Sequence, residues 1–555
     1  MWEDLGQDVD ILIIGGGING AGIARDASKR GLRVALVEMN DLASGTSSSS
    51  SKLIHGGIRY LEQFEFGLVF ESVSERRILM DIAPHLVNPL GFLFPVFKGS
   101  RRALTTISAG MWLYEGLSLF RSPKRHKTLN PSQVKHTEPA LDTSNLKGAP
   151  LYYDCSTDDA RMTLESALDA SLHGATIATW TKATQFVRDE SGRITGCVVQ
   201  DMLSPNRPPR TIKAKVVVNA TGPWTDKFMR TGQREHQPML RPTKGVHAVV
   251  EQHKLPVNNA VVCFHPEDGR VLFAIPWGDH TYLGTTDTDY EGDPAKACAD
   301  IHDINYLLNV SNLYFPEYQL TYDDVISTWA GLRPLIKPHS SGGNDVDESS
   351  ISREHQIIVS EDGIITIAGG KLTTYRKMSR EVVETILKVM RLSNTLPDTQ
   401  LTEAKTDRDP LPGAQNWPAN DDHQAVANQI LEASQNKITQ ATALLLANTY
   451  GMRGLQVAQL VAENPRLNTP LCEGRPEILA QVNYAIDHEF AATITDILER
   501  RTQLFYRAKD QGLASAQLVA THMQRILGWS DETTAKMIQD YHAVVAQSRQ
   551  WKNAL

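Results

Sequence analysis

The sequence predicts an α/β chain in three parts. These are a Rossmann-like nucleotide-binding domain assembled from separated segments, a mixed or antiparallel β-sheet domain inserted into it, and an all-α C-terminal domain. Three observations carry this reading. Asp10–Ile14, DILII, runs straight into GGGING and then into the helix-compatible AGIARDASKRG. Strand-and-turn pieces recur far along the chain, at VVVNATGPW and DGIITIAGGKLTTYR. Beyond residue 421 the apolar spacing is helical almost to the end.

The opening unit is the most specific. Gly15, Gly17 and Gly20 take the G-x-G-x-x-G positions between a strand and a helix. The first glycine lets the chain turn off the strand, the second lets backbone approach a pyrophosphate, and the third lets helix pack on sheet. The helix start offers N–H groups to phosphates. A second apolar run, LRVALVE, ends at Glu38, where a carboxylate accepts hydrogen bonds from a ribose. A Ser- and Gly-rich coil follows, then a helix over 67–81. Residues 85–149, broken by Pro, read as an insertion of loops and helix. DDARMTLESALDASLHG, 158–174, is an amphipathic helix with an acidic start and a glycine stop. Alternating strands over 176–202 lead to VVVNATG, whose Gly222 marks a second crossing under the ligand. Strands over 243–290 and short ordered pieces at 302–315 and 323–330 build the inserted domain. The stretch 362–378, strand then Gly369–Gly370 then helix, is the last return. The expected division is therefore 1–84, 150–240 and 355–392 for the nucleotide domain and 241–354 for the substrate domain. A linker at 393–420, rich in Pro, Asp and Asn, precedes helices at 421–555.

Composition narrows the class. At 555 residues the chain can bury more than one core. A net charge of -8, with no long basic stripe, argues against nucleic acid. Cys155, Cys197, Cys263, Cys298 and Cys472 form no C-x-x-C pair, so no zinc knuckle, iron–sulfur cluster or other metal site is expected; scattered thiols suit a reducing compartment. The first apolar run reads as a strand rather than a signal peptide. No segment holds the about 20 consecutive apolar residues of a membrane span. A surface role is open. FLFPVF at 92–97, ISAGMWLYEGLSLF and the cations Lys98, Arg101, Arg102, Arg121, Lys124, Arg125 and Lys127 suit an interfacial segment as well as a core helix with basic ends.

The dispersal of the nucleotide-domain pieces selects the cofactor. A ligand held by three distant segments is more like an extended FAD than an NAD that comes and goes.

The motifs DILIIGGGINGAGIARDA, SSSSSKLIHGGIRYLE, VVVNATGPW, IPWGDHTYLGTTD, GLRPL, ISREH and AGGKLTTYRK, in this order, resemble those of the FAD-dependent glycerol-3-phosphate dehydrogenases. EFAATITDILERRTQLFY resembles that family's C-terminal helical domain. The resemblance covers essentially the whole chain and implies a glycine-oxidase-like fold. It implies oxidation of sn-glycerol 3-phosphate to dihydroxyacetone phosphate, electrons passing to a membrane quinone. It further implies a homodimer in the cytoplasm, attached peripherally to anionic lipid at the inner face of the membrane. Oxygen-using oxidases of the family carry a central insertion that is not obvious here. The enzymatic rivals are such an oxidase and an FAD-dependent amine or 2-hydroxy-acid oxidoreductase. A rival of another class is a nucleotide-binding regulator.

A phosphate dianion calls for arginine, whose fork gives two charge-assisted bonds. Arg333 in GLRPL and Arg353 in ISREH stand in short, loop-like contexts, and the resemblance makes them the phosphate clamp, with Arg59 beside the reacting end. His55, followed by two glycines, is placed to accept the C2 hydroxyl proton, since an imidazole works near neutrality. His247, on an apparent strand, is the rival base. Lys371 after the double glycine supplies positive charge to the flavin or the substrate, with Thr373 beside it. Thr46, Ser47 and Ser51 lie in a bend that can hold FAD phosphates and ribityl chain. His265, Asp279 and Asp287 read as structural or rim residues.

Overall fold

Strand Val9–Ile14 is apolar because both its faces are covered: Ile11, Leu12 and Ile13 are fully buried. It pairs in parallel with Val34–Val37 on one side and with Arg210–Asn219 on the other. Thr176–Ala178 and Ile365–Gly369 extend the sheet in parallel, and His355–Val359 closes one edge antiparallel. Thr181–Arg188 and Ile194–Asp201 continue from Arg210–Asn219 as antiparallel strands, giving eight in all. Helices Ile18–Lys29, Asp159–Leu172 and Tyr375–Leu392 pack against one another over one face. Phe186, Ile194, Cys197 and Ile212 cover the other. The computed structural model describes the chain except for residues 1, 3, 4, 6, 7, 62, 63, 120, 232–236, 338–354 and 399, with Arg59 described by backbone alone.

The second sheet has eleven strands. Its centre is Leu240–Glu251, paired antiparallel with Ser327–Ile336 and His280–Gly284. Val271–Trp277 and Ala260–Phe264 follow, and Ala260–Phe264 then pairs in parallel with Asn88–Leu93. Asn88–Leu93 pairs antiparallel with Leu146–Ser156, which also takes Leu53–Ile54.

The predicted fold class holds, but sheet membership redraws its expected divisions. Residues 85–149 are not an insertion apart, because Asn88–Leu93, Val96–Phe97 and Lys127–Leu129 all pair with Leu146–Ser156. The expected boundary at 149/150 falls inside that strand. Such pairing satisfies backbone groups that a separate loop excursion would leave to solvent. The piece expected at 323–330 is the start of strand Ser327–Ile336. Gly331 and Pro334 mask it in sequence, and Pro is tolerated because the strand has only one neighbour among the described residues. The stretch 393–420 docks on the first domain: Leu411 is fully buried, and Arg25 donates to the carbonyls of Thr406 and Asp409 at 3.2 and 2.7 Å.

After it come helices His423–Ala433, Gln440–Tyr450, Gly454–Glu463, Leu479–His488, Leu513–Leu527 and Asp531–Ser548. Thr439 and Ser530 cap two of them by accepting from Thr442 N and Thr533 N. A π-helical turn, Asp496–Arg501, interrupts the regular pattern.

Candidate active site

A cleft of about 520 Å³ runs between the two sheets. It is lined by Gly15, Gly17 and Glu38, here called its nucleotide end, and by His55, His247, Arg333 and Lys371, here called its chemical end. Thr46, Ser47, Ser51, Gly222, Gly369, Gly370 and Thr373 also line it.

The nucleotide end is built by backbone. Gly15 has φ +110°, and a Cβ there would stand 2.5 Å from the Ala220 carbonyl oxygen, so only glycine fits. Gly20 does not line the cleft; a side chain there would strike the Gly15 carbonyl, so its role is close packing of helix on turn. Glu38 accepts from Gly16 N at 2.6 Å and from Asn40 N at 2.9 Å, so it latches the glycine turn as well as facing the cleft. Burial raises its pKa against the pull of those two amides. Ser47 Oγ accepts from Ile18 N at 2.9 Å, taking one of the free N–H groups at the helix start.

The serine tract is held from beneath. Lys52 is buried, with Nζ 2.7 Å from Asp159 Oδ1 and 2.9 Å from the Ser48 carbonyl. Ser50 donates to the other Asp159 oxygen from both N and Oγ, at 3.0 and 2.7 Å. Ser51 Oγ then lies 2.9 Å from His247 Nε2, and Thr46 Oγ1 donates to the Leu332 carbonyl at 2.7 Å.

At the chemical end, His55 N donates to Thr373 Oγ1 at 3.1 Å, and that hydroxyl lies 3.2 Å from the His55 carbonyl. The double glycine and the turn after it thus share one wall with HGGIRY. Lys371 Nζ sits 3.6 Å from the centroid of the Tyr60 ring and 3.4 Å from Ser72 Oγ. His247 is buried and stacks on Trp329 at 4.7 Å. Burial first, then the charges of Arg333 and Lys52, push its pKa well below the ordinary imidazole value. Arg333 is on a strand, not in a loop, and is partly engaged: Nη1 lies 2.9 Å from Asp287 Oδ1 and Nη2 3.1 Å from Thr285 Oγ1. Asp287, expected as a structural or rim residue, is structural: it anchors Arg333. Arg353 and the Arg59 side chain lie outside the described residues; the Arg59 backbone is in the short turn Ile58–Leu61.

Sequence reasoning missed Lys52, Asp159 and Tyr60. Lys52 follows the serine bend with no role of its own in the sequence, and Asp159 reads as part of an acidic helix start. Their partnership spans 107 positions and has no local signal.

The cleft fits FAD on its own geometry. The end at Gly15 admits no Cβ, and the cleft is bounded by all three separated nucleotide-domain segments. This defines a flavin-dependent oxidoreductase. Comparisons agree: the family profile described as FAD dependent oxidoreductase matches residues 10–376, and that of the C-terminal domain of alpha-glycerophosphate oxidase matches 404–534. The aerobic glycerol-3-phosphate dehydrogenase of Staphylococcus haemolyticus is 35% identical over 545 residues, 98% of this chain and 95% of that protein. The alpha-glycerophosphate oxidase of Streptococcus pyogenes serotype M1 is 36% identical over 596 aligned positions, with the same shares. The glycerol-3-phosphate dehydrogenase from Bacillus halodurans, solved in complex with FAD, superposes with a TM-score of 0.79 at 33% identity, covering 98% of this chain and 96% of that one. The chain belongs to the FAD-dependent glycerol-3-phosphate dehydrogenase/oxidase family. It is an FAD-dependent oxidoreductase.

Proposed function

We propose that the chain oxidises sn-glycerol 3-phosphate at C2 to dihydroxyacetone phosphate and passes the electrons to a membrane quinone. The observation that carries this reading is that one cleft is lined both by the glycine turn and Glu38 and by His55, Arg333 and Lys371. FAD, when bound, supplies the acceptor for the hydrogen and electron pair leaving C2. Arg333, steadied by Asp287, binds the phosphate, and Arg353 and Arg59 are its assigned companions. Lys371 adds positive charge where substrate and cofactor meet. His55 takes the hydroxyl proton, which leaves a neutral ketone rather than an alkoxide. His247 is kept neutral and orients Ser51.

Relatives named dehydrogenase and oxidase are equally similar to this chain. The alignment with the Streptococcus pyogenes oxidase runs to 596 positions against the 555 residues here, so that relative carries segments this chain lacks. That favours the dehydrogenase reading and hence quinone over oxygen.

Among the described residues no helix is long and apolar enough to cross a membrane. Phe92, Leu93 and Val96 are buried, so the apolar part of 92–97 belongs to the core and not to a lipid-facing segment. Helix Leu104–Leu117 is different: Trp112 is 59% exposed and Leu113 45%, and Phe64 and Phe70 are exposed on the neighbouring Phe66–Ile82 region. The exposed Lys98, Arg101, Arg125 and Lys127 border it. An apolar patch rimmed by cations supports reversible seating on anionic lipid.

The test is anaerobic mixing with glycerol 3-phosphate while flavin absorbance is followed. Bleaching by this substrate but not by glycerol, glycine or lactate is expected. Bleaching by an amine or a 2-hydroxy acid instead would replace the reading.

A further inference from the structure

We infer that the C-terminal helical domain is a retention clamp for FAD, acting through the π-helical turn Asp496–Arg501 on the loop that closes the Gly16–Glu38 end of the cleft. The inference rests on the reading of this cleft as the FAD site.

The link is Asp41, three residues after Glu38 and fully buried. Arg500 Nε lies 2.6 Å from its Oδ2; Arg501 Nη1 and Nη2 lie 2.7 Å from Oδ2 and 2.9 Å from Oδ1. Consecutive side chains on an α-helix diverge by about 100°. The wider π turn reduces that divergence and lets both guanidiniums reach one carboxylate, and such turns favour functional positions. Burial would raise the pKa of Asp41, but Arg501 and Arg500 outweigh it and hold the group ionised.

Asp41 is no distant anchor. Its carbonyl accepts from Ser44 N, and Ala43 N donates to the Gly16 carbonyl at 3.0 Å, next to the glycine turn. Ser44 and Met39 line the cleft. The same turn grips a second cleft-wall strand, since Trp180 Nε1 donates to Asp496 Oδ2 at 3.1 Å, and Thr181 N donates to the Glu38 carbonyl at 2.7 Å. Two walls of the nucleotide end are therefore fastened to one turn of another domain. Linkage is reciprocal: if the turn holds the loop that holds FAD, FAD must in return hold the turn.

The test uses the full chain loaded with FAD, with Arg500→Gln, Arg501→Gln and, as a control, Lys536→Gln in the same domain. FAD dissociation is read by flavin fluorescence well below the melting temperature. The two clamp variants should release FAD about tenfold to hundredfold faster, the scale of a lost charged hydrogen bond, and the control at the parent rate. The gap in melting temperature between FAD-loaded and FAD-free protein should narrow in the clamp variants; mere structural glue would lower both states equally and leave the gap. If the variants fold poorly, the parent decides: on FAD removal, hydrogen exchange should rise together at 40–44 and 492–501. Parent-like FAD release with an unchanged gap, or unaltered exchange at 492–501, overturns the clamp. A parent that binds no flavin in this cleft overturns the cleft reading itself, and the clamp with it.

Discussion

Ser51 and His247 meet at the cleft wall, Oγ to Nε2, at 2.9 Å. The ring is buried and stacked on Trp329, and it stays neutral because burial, Arg333 and Lys52 all disfavour its proton. A ring so placed orients a hydroxyl better than it stores a proton. His55 lines the cleft and is not deeply buried, which supports its proposed role as the base. We expect His55→Asn to slow flavin reduction roughly 10²- to 10⁴-fold with little change in substrate affinity, and to abolish the rising limb of the pH–rate profile. His247→Asn should cost less and keep that limb. Stopped-flow reduction across pH checks both, and the opposite ranking would make His247 the base.

On the proposed reading, Arg333→Ala removes a charged contact to the substrate phosphate. KM should rise about 10- to 100-fold while bound flavin is retained. Asp287→Asn keeps the shape of the anchor but weakens its hold on Arg333, so a smaller rise is expected. Steady-state kinetics beside flavin content separates these from loss of cofactor. Normal KM in Arg333→Ala would remove it from the clamp.

Two glycines of one motif should fail differently. A Cβ at Gly17 meets only Ser47 Oγ, at 3.1 Å, within the described protein, so Gly17→Ala should fold and yet exclude FAD by crowding its pyrophosphate. At Gly20 a Cβ would strike the Gly15 carbonyl, so Gly20→Ala should destabilise even the FAD-free protein. Flavin content and melting temperature, measured together, tell the two apart. Full flavin content in Gly17→Ala would displace FAD from this turn.

His85 is fully buried, and neither ring nitrogen has a hydrogen-bond partner among the described residues. Burial, then the charge of Arg161, pushes its pKa down to about 3. The unfolded state therefore binds a proton that the folded state refuses, and stability falls as pH drops from about 6.5 toward 3. The contribution is about 1.4 kcal/mol per pH unit within that window. Denaturant unfolding of the FAD-free protein at several pH values should show a slope shallower by about this amount in His85→Phe. An unchanged slope would mean that the ring already takes the proton when folded.

Vesicle binding tests the lipid surface. Lys98, Arg101 and Arg102 together replaced by Gln should lose about 1 kcal/mol per well-placed cation on anionic vesicles, an effect that shrinks with salt. Trp112→Ser should weaken binding at all salt concentrations. Quinone reduction should suffer more than reduction of a soluble dye. Binding equal to the parent in both variants would move the contact to another surface.

The sequence alone determined the parts governed by neighbours in the chain. The turn at Gly15 and the position of Glu38 at the end of the second strand follow from local backbone sterics and a fixed strand–helix–strand spacing, whereas the bond from Gly16 N that makes Glu38 a latch does not. The C-terminal helices follow from a 3.6-residue period. Thr373 and the double glycine were legible because the chain repeats a strand–turn–helix pattern there. Only the tertiary structure decided which strands share a sheet, putting Asn88–Leu93 and Leu146–Ser156 into the second one. It alone joined Lys52 to Asp159, Arg333 to Asp287, and Asp41 to Arg500 and Arg501 across 459 and 460 positions. Strand pairing and buried ion pairing are contacts between distant segments. A single sequence shows the two partners but not their meeting, because the free energy that selects it comes from burial and charge neutralisation available only once the chain has closed.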